Sequence, residues 1–201
     1  MEKIQLRRSL LKKRQSMSVE AWKQKSDRIC THILTSPLFT EAKTVLAYFS
    51  FRQEPDLSPL FGDKTGGQDA HLTKIWGLPR CVGNSLYWHI WTLNDSVQIG
   101  TYGITEPHPN APTIDPDQVD LILVPCVACG HQGYRLGYGG GYYDRLLAAP
   151  EWATKPTIGI VFDFAYLPEL PIEPWDKPLG AVCTETGINY PSLPDGFRRK
   201  L

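Results

Sequence analysis

The residues best suited to chemistry in this sequence form one glycine-rich stretch, Leu136-Gly-Tyr-Gly-Gly-Gly-Tyr-Tyr-Asp-Arg145. Glycine has no Cβ, so the backbone there can turn tightly and approach a ligand closely. Arg135 and Arg145 flank the stretch with guanidinium groups that suit phosphate, and Asp144 could hold a cation. Together these residues favour a phosphate-binding loop, with a plain tight turn as the alternative.

The elements on either side of this loop should position it at a strand-to-helix junction. Residues 119–125 form an apolar run of strand length, and residues 142–149 read as a short helix with Leu146 and Leu147 facing inward. The free N–H groups and the positive dipole end of that helix would point back into the loop. The dinucleotide fingerprint does not fit, because it would need Gly at Tyr142, and the Gly-Lys-Ser/Thr of a P-loop is missing.

Composition limits the function classes. The 201 residues carry 21 Lys plus Arg and 21 Asp plus Glu, so the net charge is zero, which argues against a general nucleic-acid binder. There is no apolar run of membrane-spanning length and no signal-peptide pattern. The five scattered cysteines read as reduced thiols of a cytoplasmic protein. We expect one domain over residues 1–201, with the helices of residues 1–35 packed on its sheet, and a monomer that acts on small molecules.

The N-terminal region predicts two helices. Residues 3–15 have an apolar side, and Lys3, Arg7 and Arg14 lie near one another on a second face. On periodicity alone this second face reads as a solvated basic surface. Ser18 can cap the next helix, which should run to about residue 34.

Apolar runs alternate with helical patterns through the rest of the chain. Strands are predicted at residues 43–49, 71–76, 85–93, 119–125, 157–162 and 181–184, with Leu78-Pro-Arg80 as a connection, residues 103–116 as a long loop and a mostly polar tail after Glu185. This pattern predicts an α/β fold, a three-layer α/β/α arrangement with one open, mostly parallel sheet.

Two further features lie near predicted strand ends. Glu54 lies in the loop 50–56 after a strand, where ligands bind in open α/β sheets, although an exposed loop carboxylate is the commoner fate of such a residue. Cys126 and Cys129 match C-x-x-C, but Pro125 precedes them and Gly130 follows. We interpret them as small apolar side chains at a strand end rather than as a redox or zinc site.

The motifs taken together resemble the 5-formyltetrahydrofolate cyclo-ligase family, also called methenyltetrahydrofolate synthetases. The glycine–tyrosine–aspartate stretch is the most specific part of the resemblance, which covers nearly the whole chain in the expected order. The weaker matches are Lys3-x-x-Leu-Arg7, the loop 50–56 with Glu54, Leu78-Pro-Arg80, Gly103-Ile-x-Glu-Pro107, and Asp176 followed by Val182-Cys-Thr-Glu185.

The resemblance implies a reaction and a fold. ATP and 5-formyltetrahydrofolate give 5,10-methenyltetrahydrofolate, ADP and phosphate, with Mg²⁺. The formyl oxygen would attack the γ-phosphate, and the folate N10 would then attack the imidate phosphate and release phosphate. Such chemistry needs positioning and charge neutralisation more than a nucleophilic side chain. The implied sheet is the one shared with ribose-5-phosphate isomerase and CoA-transferase-like proteins.

Site residues follow from the resemblance position by position. Tyr142 and Arg135 are expected to act in catalysis, Tyr142 where the formyl group and the γ-phosphate meet. Phe49, Glu54 and Tyr142 are expected to bind the folate, and Asp144 and Asp176 the magnesium ion. The expected ATP contacts are Lys3, Arg7, Arg135, Leu136, Gly137, Tyr138, Gly139, Gly140, Gly141, Tyr142 and Tyr143.

The chain departs from the family pattern at two places. Cys129-Gly130 replaces Phe-Asp, which puts the rigidity of the loop in question, and Gly140 stands where some members have Lys, so Arg135 or Lys3 would have to carry more of the phosphate charge. Two other functions stay open from the sequence. They are a sugar-phosphate isomerase or CoA-transferase-like enzyme on the same sheet, and a folate-binding protein without catalysis.

Overall fold

The computed structural model of the chain describes residues 2–62 and 74–191. Its helices α1 to α5 span Lys3–Gln15, Val19–Leu34, Pro37–Thr40, Tyr142–Ala148 and Pro150–Ala153. Its strands β1 to β12 span Thr44–Leu46, Ile75–Val82, Ser85–Trp91, Val97–Ile99, Thr105–Pro107, Leu121–Pro125, Ala128–Gly130, Arg135–Leu136, Thr157–Ile160, Tyr166–Leu167, Ala181–Thr184 and Gly187–Asn189.

Seven strands form the central sheet in the order β12-β11-β9-β6-β1-β2-β3. The five inner strands run parallel, and one antiparallel strand lies at each edge. Two small sheets, β10-β7-β8 and β4-β5, lie beside it. The predicted mostly parallel α/β sheet is therefore confirmed.

The buried strands feed two cores, because successive side chains of a strand point to opposite faces. On one face, Val45, Leu121 and Leu123 pack with residues of α2 and α3 such as Ile33 and Phe39. On the other face, Leu46, Ile122 and Val124 pack with Leu10 of α1 and Leu147 of α4. The result is three layers, with helices on both sides of the sheet.

The two N-terminal helices begin where the sequence predicts. Ser18 accepts a hydrogen bond from the N–H of Ala21 at 3.1 Å and so caps α2. Among the described helices, none is both long enough and apolar enough to cross a bilayer.

Three sequence predictions are corrected by the structure. Leu78–Arg80 is not a connection but lies inside β2, where Pro79 is tolerated because β1 pairs with β2 only as far as Gly77. The long loop 103–116 contains β5, and the polar tail contains β12, which pairs antiparallel with β11. The first part of the strand predicted at 71–76, residues 71–73, lies outside the described residues.

Candidate active site

The chain order reverses at the centre of the sheet, and this reversal creates a crevice. From β1 the chain passes to β2 on one side, whereas from β6 it passes to β9 on the other side. Ligands of open α/β sheets bind where the loops of two such strands diverge at their carboxyl ends. Here these are the loop after β1, which carries Glu54, and the segment after β6, which leads through β7 and β8 into the glycine stretch.

The glycine stretch is an open loop that closes onto α1. Gly139 and Gly141 have φ angles of 105° and 69°, which L-residues rarely adopt. Nε of Arg7 donates to the carbonyl oxygen of Gly137 at 2.7 Å, and a Cβ at Gly139 would lie 3.8 Å from the Arg7 guanidinium carbon. The positive φ angles favour glycine at these two positions, and Arg7 of α1 contacts the loop, while its expected ATP contact stays a prediction.

The expected ATP-binding cations are already paired with the expected magnesium carboxylates. Nζ of Lys3 lies 2.6 Å from Oδ2 of Asp176, and Nη2 of Arg135 lies 2.7 Å from Oδ1 of Asp144. Arg135 is buried, and its Nη1 also donates to the carbonyl oxygen of Lys177 at 3.5 Å. The structure thus gathers all four side chains around the start of the glycine stretch and the loop that carries Asp176.

Arg145 does not match the phosphate-facing role expected from the sequence. Its Nη2 donates to the carbonyl oxygen of Gly140 at 2.8 Å, and its Nε donates to that of Asn84 at 2.7 Å. The guanidinium therefore ties the end of the glycine stretch to the β2–β3 turn. Its role in this structure is to brace the loop.

The two tyrosines at the start of α4 face different surroundings. The hydroxyl of Tyr142 donates to the carbonyl oxygen of Gly83 at 2.9 Å and lies 3.4 Å from the hydroxyl of Tyr102, and this second contact raises the pKa of Tyr142 to about 12. Tyr143 points inward, where its ring contacts Trp88, and burial raises its pKa well above the ordinary value. Tyr142 therefore borders the crevice at the β2–β3 turn, and Tyr143 lies beneath it.

A strained turn positions Glu54. Arg52 and Gln53 have φ angles of 49° and 55°, and the N–H of Glu54 donates to the carbonyl oxygen of Phe51 at 3.0 Å. Two positive φ angles in a hydrogen-bonded turn are typical of type I′, which favours Asn and Gly rather than Arg and Gln. Such strain persists only where surrounding contacts fix the conformation, and it is concentrated at functional sites.

Several contacts hold this turn in place. The indole N–H of Trp22 and the hydroxyl of Ser50 donate to the carbonyl oxygen of Glu54 at 2.8 and 2.7 Å. The amide of Gln53, with its nitrogen toward the end of α1, donates to the carbonyl oxygen of Arg14 at 2.8 Å. Both N-terminal helices therefore support the conformation that points Glu54 inward.

The Glu54 carboxylate is buried, contrary to the ordinary fate of a loop carboxylate. Only 3% of the residue is exposed, and the backbone N–H of Phe51 donates to its Oε2 at 3.0 Å. Burial raises the pKa of Glu54 to about 7, although Arg14, this N–H and a hydrogen bond from the Tyr138 hydroxyl act in the opposite direction. The side chain is thus a hydrogen-bond acceptor in the crevice, and its charge changes near neutral pH.

Arg14 is the site residue that the sequence prediction missed. It is 3% exposed, its Nε donates to the carbonyl oxygen of Arg52 at 3.1 Å, and its Nη2 donates to the hydroxyl of Tyr138. Helical spacing from Lys3 and Arg7 placed it on the correct face of α1. Its burial depends on contacts with distant parts of the chain, which periodicity does not reveal.

Other predicted residues lie at the edges of this arrangement. Phe49 is half-buried and packs edge-to-face on Trp91 and Phe61, with ring centroids 5.1 and 6.2 Å away. Cys126 and Cys129 are buried free thiols, and burial raises the pKa of Cys129 well above its ordinary value. Such a thiol is a poor nucleophile at neutral pH, as expected for a structural side chain.

The two departures from the family pattern have local explanations. Cys129 pairs directly with Arg135 in the β7–β8 ladder, and the N–H of Gly130 donates to the carbonyl oxygen of Tyr134 at 2.8 Å, so backbone contacts brace the start of the loop. A Cβ at Gly140 would lie 3.0 Å from the ring of Tyr142. A longer side chain there would therefore have to move that ring.

Magnesium fits this site only if the protein and the bound phosphates both supply ligands to the ion. Residues 2–62 and 74–191 contain no group of three or more His, Cys, Asp or Glu side chains that could hold a metal alone. Mg²⁺ commonly uses one or two carboxylates together with phosphate oxygens and water. The Asp144 side chain, 29% exposed and bound to Arg135 through Oδ1 only, fits that description better than Asp176, which is 7% exposed and accepts from Lys3 and from the N–H of Glu173.

Comparison with known proteins gives one consistent result. The model of the 5-formyltetrahydrofolate cyclo-ligase family matches residues 1–185. The 5-formyltetrahydrofolate cyclo-ligase of Escherichia coli (strain K12) is 29% identical over 178 residues, which cover 88% of this chain and 96% of that protein. The one from Haemophilus influenzae is 27% identical over 179 residues, 87% of this chain and 93% of that protein.

Solved structures agree with the sequence relatives. The NMR structure of Aquifex aeolicus 5,10-methenyltetrahydrofolate synthetase superposes with a TM-score of 0.81 at 32% identity, covering 96% of this chain and 94% of that one. The structure of a 5,10-methenyltetrahydrofolate synthetase from Mycoplasma pneumoniae gives a TM-score of 0.72 at 22% identity, covering 92% and 99%, and supports the fold.

Proposed function

The chain belongs to the 5-formyltetrahydrofolate cyclo-ligase family, and from this premise we propose how its crevice carries out the family reaction. The enzyme converts 5-formyltetrahydrofolate to 5,10-methenyltetrahydrofolate with consumption of ATP and release of ADP and phosphate. The comparisons give no support to an isomerase, a CoA-transferase or a folate-binding protein without catalysis. A cytoplasmic location and a monomeric state remain predictions.

One observation carries the assignment of the two substrates within the crevice. The glycine stretch, which would hold the triphosphate, carries Tyr138, whose hydroxyl accepts from Arg14, and Arg14 also donates to the turn that precedes Glu54, which would hold the pterin. The two binding regions are therefore adjacent parts of one crevice. This adjacency is what transfer from ATP to a folate oxygen requires, because the reacting groups must be held in line.

At the phosphate end, Lys3, Arg7 and Arg135 would neutralise the triphosphate. In the structure the charges of Lys3 and Arg135 are balanced by Asp176 and Asp144. Bound ATP would compete with these carboxylates for the same cations. The glycine stretch would follow the phosphates with its backbone, and Arg145 and the β2–β3 turn would hold its far end.

Asp144 is the side chain best placed to hold Mg²⁺ beside the phosphates, with Asp176 as a second carboxylate. When bound, the ion would neutralise phosphate charge. Asp144 would contribute its Oδ2, because Arg135 donates only to Oδ1 and the side chain is 29% exposed. Asp176 would first have to exchange its contact with Lys3.

At the folate end, Glu54 would accept hydrogen bonds from the aminopyrimidinone edge, and Phe49 would contribute apolar surface. Tyr142, at the β2–β3 turn, would orient the formyl oxygen during its attack on the γ-phosphate. ADP would leave at that step, N10 would then bond to the formyl carbon and lose its proton, and the former formyl oxygen would leave with phosphate. The residues bind and orient, and none has to form a covalent bond.

Purified protein tests the function directly. With ATP, Mg²⁺ and 5-formyltetrahydrofolate we expect the methenyl chromophore and phosphate to appear in equal amounts, and neither product when ATP or the folate is omitted. Tyr142→Phe should slow this reaction and leave folate binding nearly unchanged, whereas Tyr87→Phe, an exposed tyrosine on β3, serves as the matched control. Absence of methenyl product with both substrates present would refute the function.

A further inference from the structure

The hydroxyl of Tyr138 lies beside two buried charged groups, Arg14 and Glu54. It accepts from Nη2 of Arg14, whose guanidinium carbon lies 5.5 Å from the centre of the Tyr138 ring. The Glu54 carboxylate lies nearby, since burial and then the charge of Glu54 raise the pKa of Tyr138. The structure therefore presents a buried donor and a buried acceptor near each other, with a phenol that satisfies the donor.

Arg14 has a further donor that nothing satisfies. Its Nη1 is buried and has no hydrogen-bond partner among the described residues. A buried donor without a partner costs roughly 1–3 kcal/mol, and more when it is charged. The guanidinium is also held by the carbonyl oxygen of Arg52, so the unpaired donor belongs to a fixed group at the wall of the crevice.

The pattern of these groups complements one molecular edge. The aminopyrimidinone ring of a folate offers an amino donor at C2, an N–H donor at N3 and a carbonyl acceptor at C4, in that order. A carboxylate accepts two hydrogen bonds, and a guanidinium beside it donates one or two. Glu54 matches the two donors and Arg14 matches the adjacent carbonyl.

We propose that Arg14 is a specificity-determining residue that donates to the C4 carbonyl oxygen of the folate beside Glu54, and that the Tyr138 hydroxyl holds this place until the folate enters. The proposal rests on the proposed function. The phenol imitates the ring at one atom, since it accepts from Arg14 as the C4 carbonyl would.

Tyr138 is suited to leave this position. It lies between Gly137 and Gly139, and 38% of it is exposed, whereas Arg14 and Glu54 are each 3% exposed. Movement of the phenol therefore needs a change in a glycine-flanked loop rather than in a helix or a sheet. Entry of the folate would release Tyr138 toward the phosphate end of the crevice.

The test measures the binding of two ligands in the absence of ATP. They are 5-formyltetrahydrofolate and the same molecule with an amino group in place of the C4 oxygen. For Arg14→Gln we expect affinity for the natural ligand to fall about 10- to 100-fold and the preference for it over the amino ligand to narrow by about tenfold. Arg8→Gln, an exposed arginine on the same helix, should change neither dissociation constant.

Three outcomes distinguish the explanations. Equal weakening of both ligands would show that Arg14 merely supports the turn at Arg52, and unchanged binding would exclude it from the site; either result overturns the proposal. If Arg14→Gln does not fold, Arg14→Met, which keeps a long apolar stem but has no donor, must show the narrowed preference. Failure of the unaltered protein to bind 5-formyltetrahydrofolate would instead refute the proposed function.

Tyr138→Phe tests the placeholder separately. Removal of the hydroxyl takes away the acceptor of Arg14 Nη2 before the folate arrives, so folate affinity without ATP should stay equal or increase a few-fold. A fall in affinity would mean that the hydroxyl itself contacts the folate, and it would overturn this part of the proposal.

Discussion

Lys3 and Asp176 form an ion pair with Nζ and Oδ2 2.6 Å apart, although 173 positions separate them in the chain. The pair joins the first turn of α1 to the loop that precedes β11. It holds a cation at the proposed phosphate end of the crevice, and Asp176 balances the charge of that cation.

Replacement of Lys3 should therefore affect ATP more than folate. In Lys3→Met we expect the KM for ATP to rise about 10- to 100-fold, because a charged hydrogen-bond donor to phosphate is lost. The dissociation constant for folate without ATP should change less than about twofold. Lys12→Met, an exposed lysine on the same helix, is the control, and an unchanged KM for ATP in Lys3→Met would remove Lys3 from the ATP site.

The two aspartates should differ in their response to magnesium. Asp144→Asn should lower kcat strongly and raise the Mg²⁺ concentration needed for half-maximal rate. Asp176→Asn should show a smaller shift in Mg²⁺ requirement and a larger loss of thermal stability, because it leaves Lys3 unpaired. Titration of Mg²⁺ against rate, with melting curves recorded with and without Mg²⁺ and ATP, decides the matter, and an unchanged Mg²⁺ dependence in both variants would exclude both residues.

Glu54 should make the stability of the ligand-free protein decrease with pH. Burial raises its pKa from 4.5 to about 7, so the folded state keeps the proton between these values while the unfolded chain loses it. The stability that this proton contributes is complete below pH 4.5 and is lost as the pH rises through 7. Glu54→Gln should thus increase the free energy of unfolding at pH 8 by up to about 3 kcal/mol and change it little at pH 5.

Folate binding should depend on the same group with the opposite sign. The carboxylate is the better acceptor, so folate affinity of the unaltered protein should increase as the pH rises through about 7. In Glu54→Gln this dependence should disappear, and folate binding should weaken by roughly 1–3 kcal/mol while ATP binding changes little. Isothermal titrations between pH 5.5 and 8.5 measure both effects, and equal weakening of both ligands would mean that Glu54 only supports its loop.

The turn before Glu54 offers a test of strain. Arg52 has a φ of 49°, which a β-branched residue tolerates poorly and Asn tolerates well. Arg52→Val should lower the free energy of unfolding by about 1–3 kcal/mol and weaken folate binding, whereas Arg52→Asn should be neutral or stabilising. Denaturant unfolding and folate titration of the two variants measure this, and identical behaviour would argue against a strained turn.

The predictability of the fold from the sequence depends on the range of the interactions involved. Local periodicity was enough for α1 and α2, and apolar runs were enough for the inner strands β1, β6, β9 and β11. Pro79 is a misleading signal in the sequence, because proline usually marks a connection, whereas here it is tolerated inside β2 since the pairing with β1 ends at Gly77. The short edge strand β12 has too few residues to produce a pattern.

The site was predictable where one segment carries the signal. The glycine stretch and its neighbours could be identified from the sequence and the family resemblance. Arg14 could not, since its role arises from Arg52 and Tyr138, which lie 38 and 124 positions away along the chain. Arg145 was assigned to phosphate because its type allowed it, whereas the β2–β3 turn takes its hydrogen bonds.

Helix α1 fixes the distance between its contacts at the two ends of the crevice. Lys3 and Arg7 near its start contact the proposed phosphate end, and Arg14 near its end contacts the turn at the proposed folate end. At 1.5 Å per residue the interval from Lys3 to Arg14 is about 16 Å, and a helix neither stretches nor shortens. Substitutions on its solvent face leave this distance unchanged. One inserted or deleted residue between Arg7 and Arg14 would instead rotate one set of contacts by about 100° relative to the other. The length of this segment should therefore be far less free to vary than its composition.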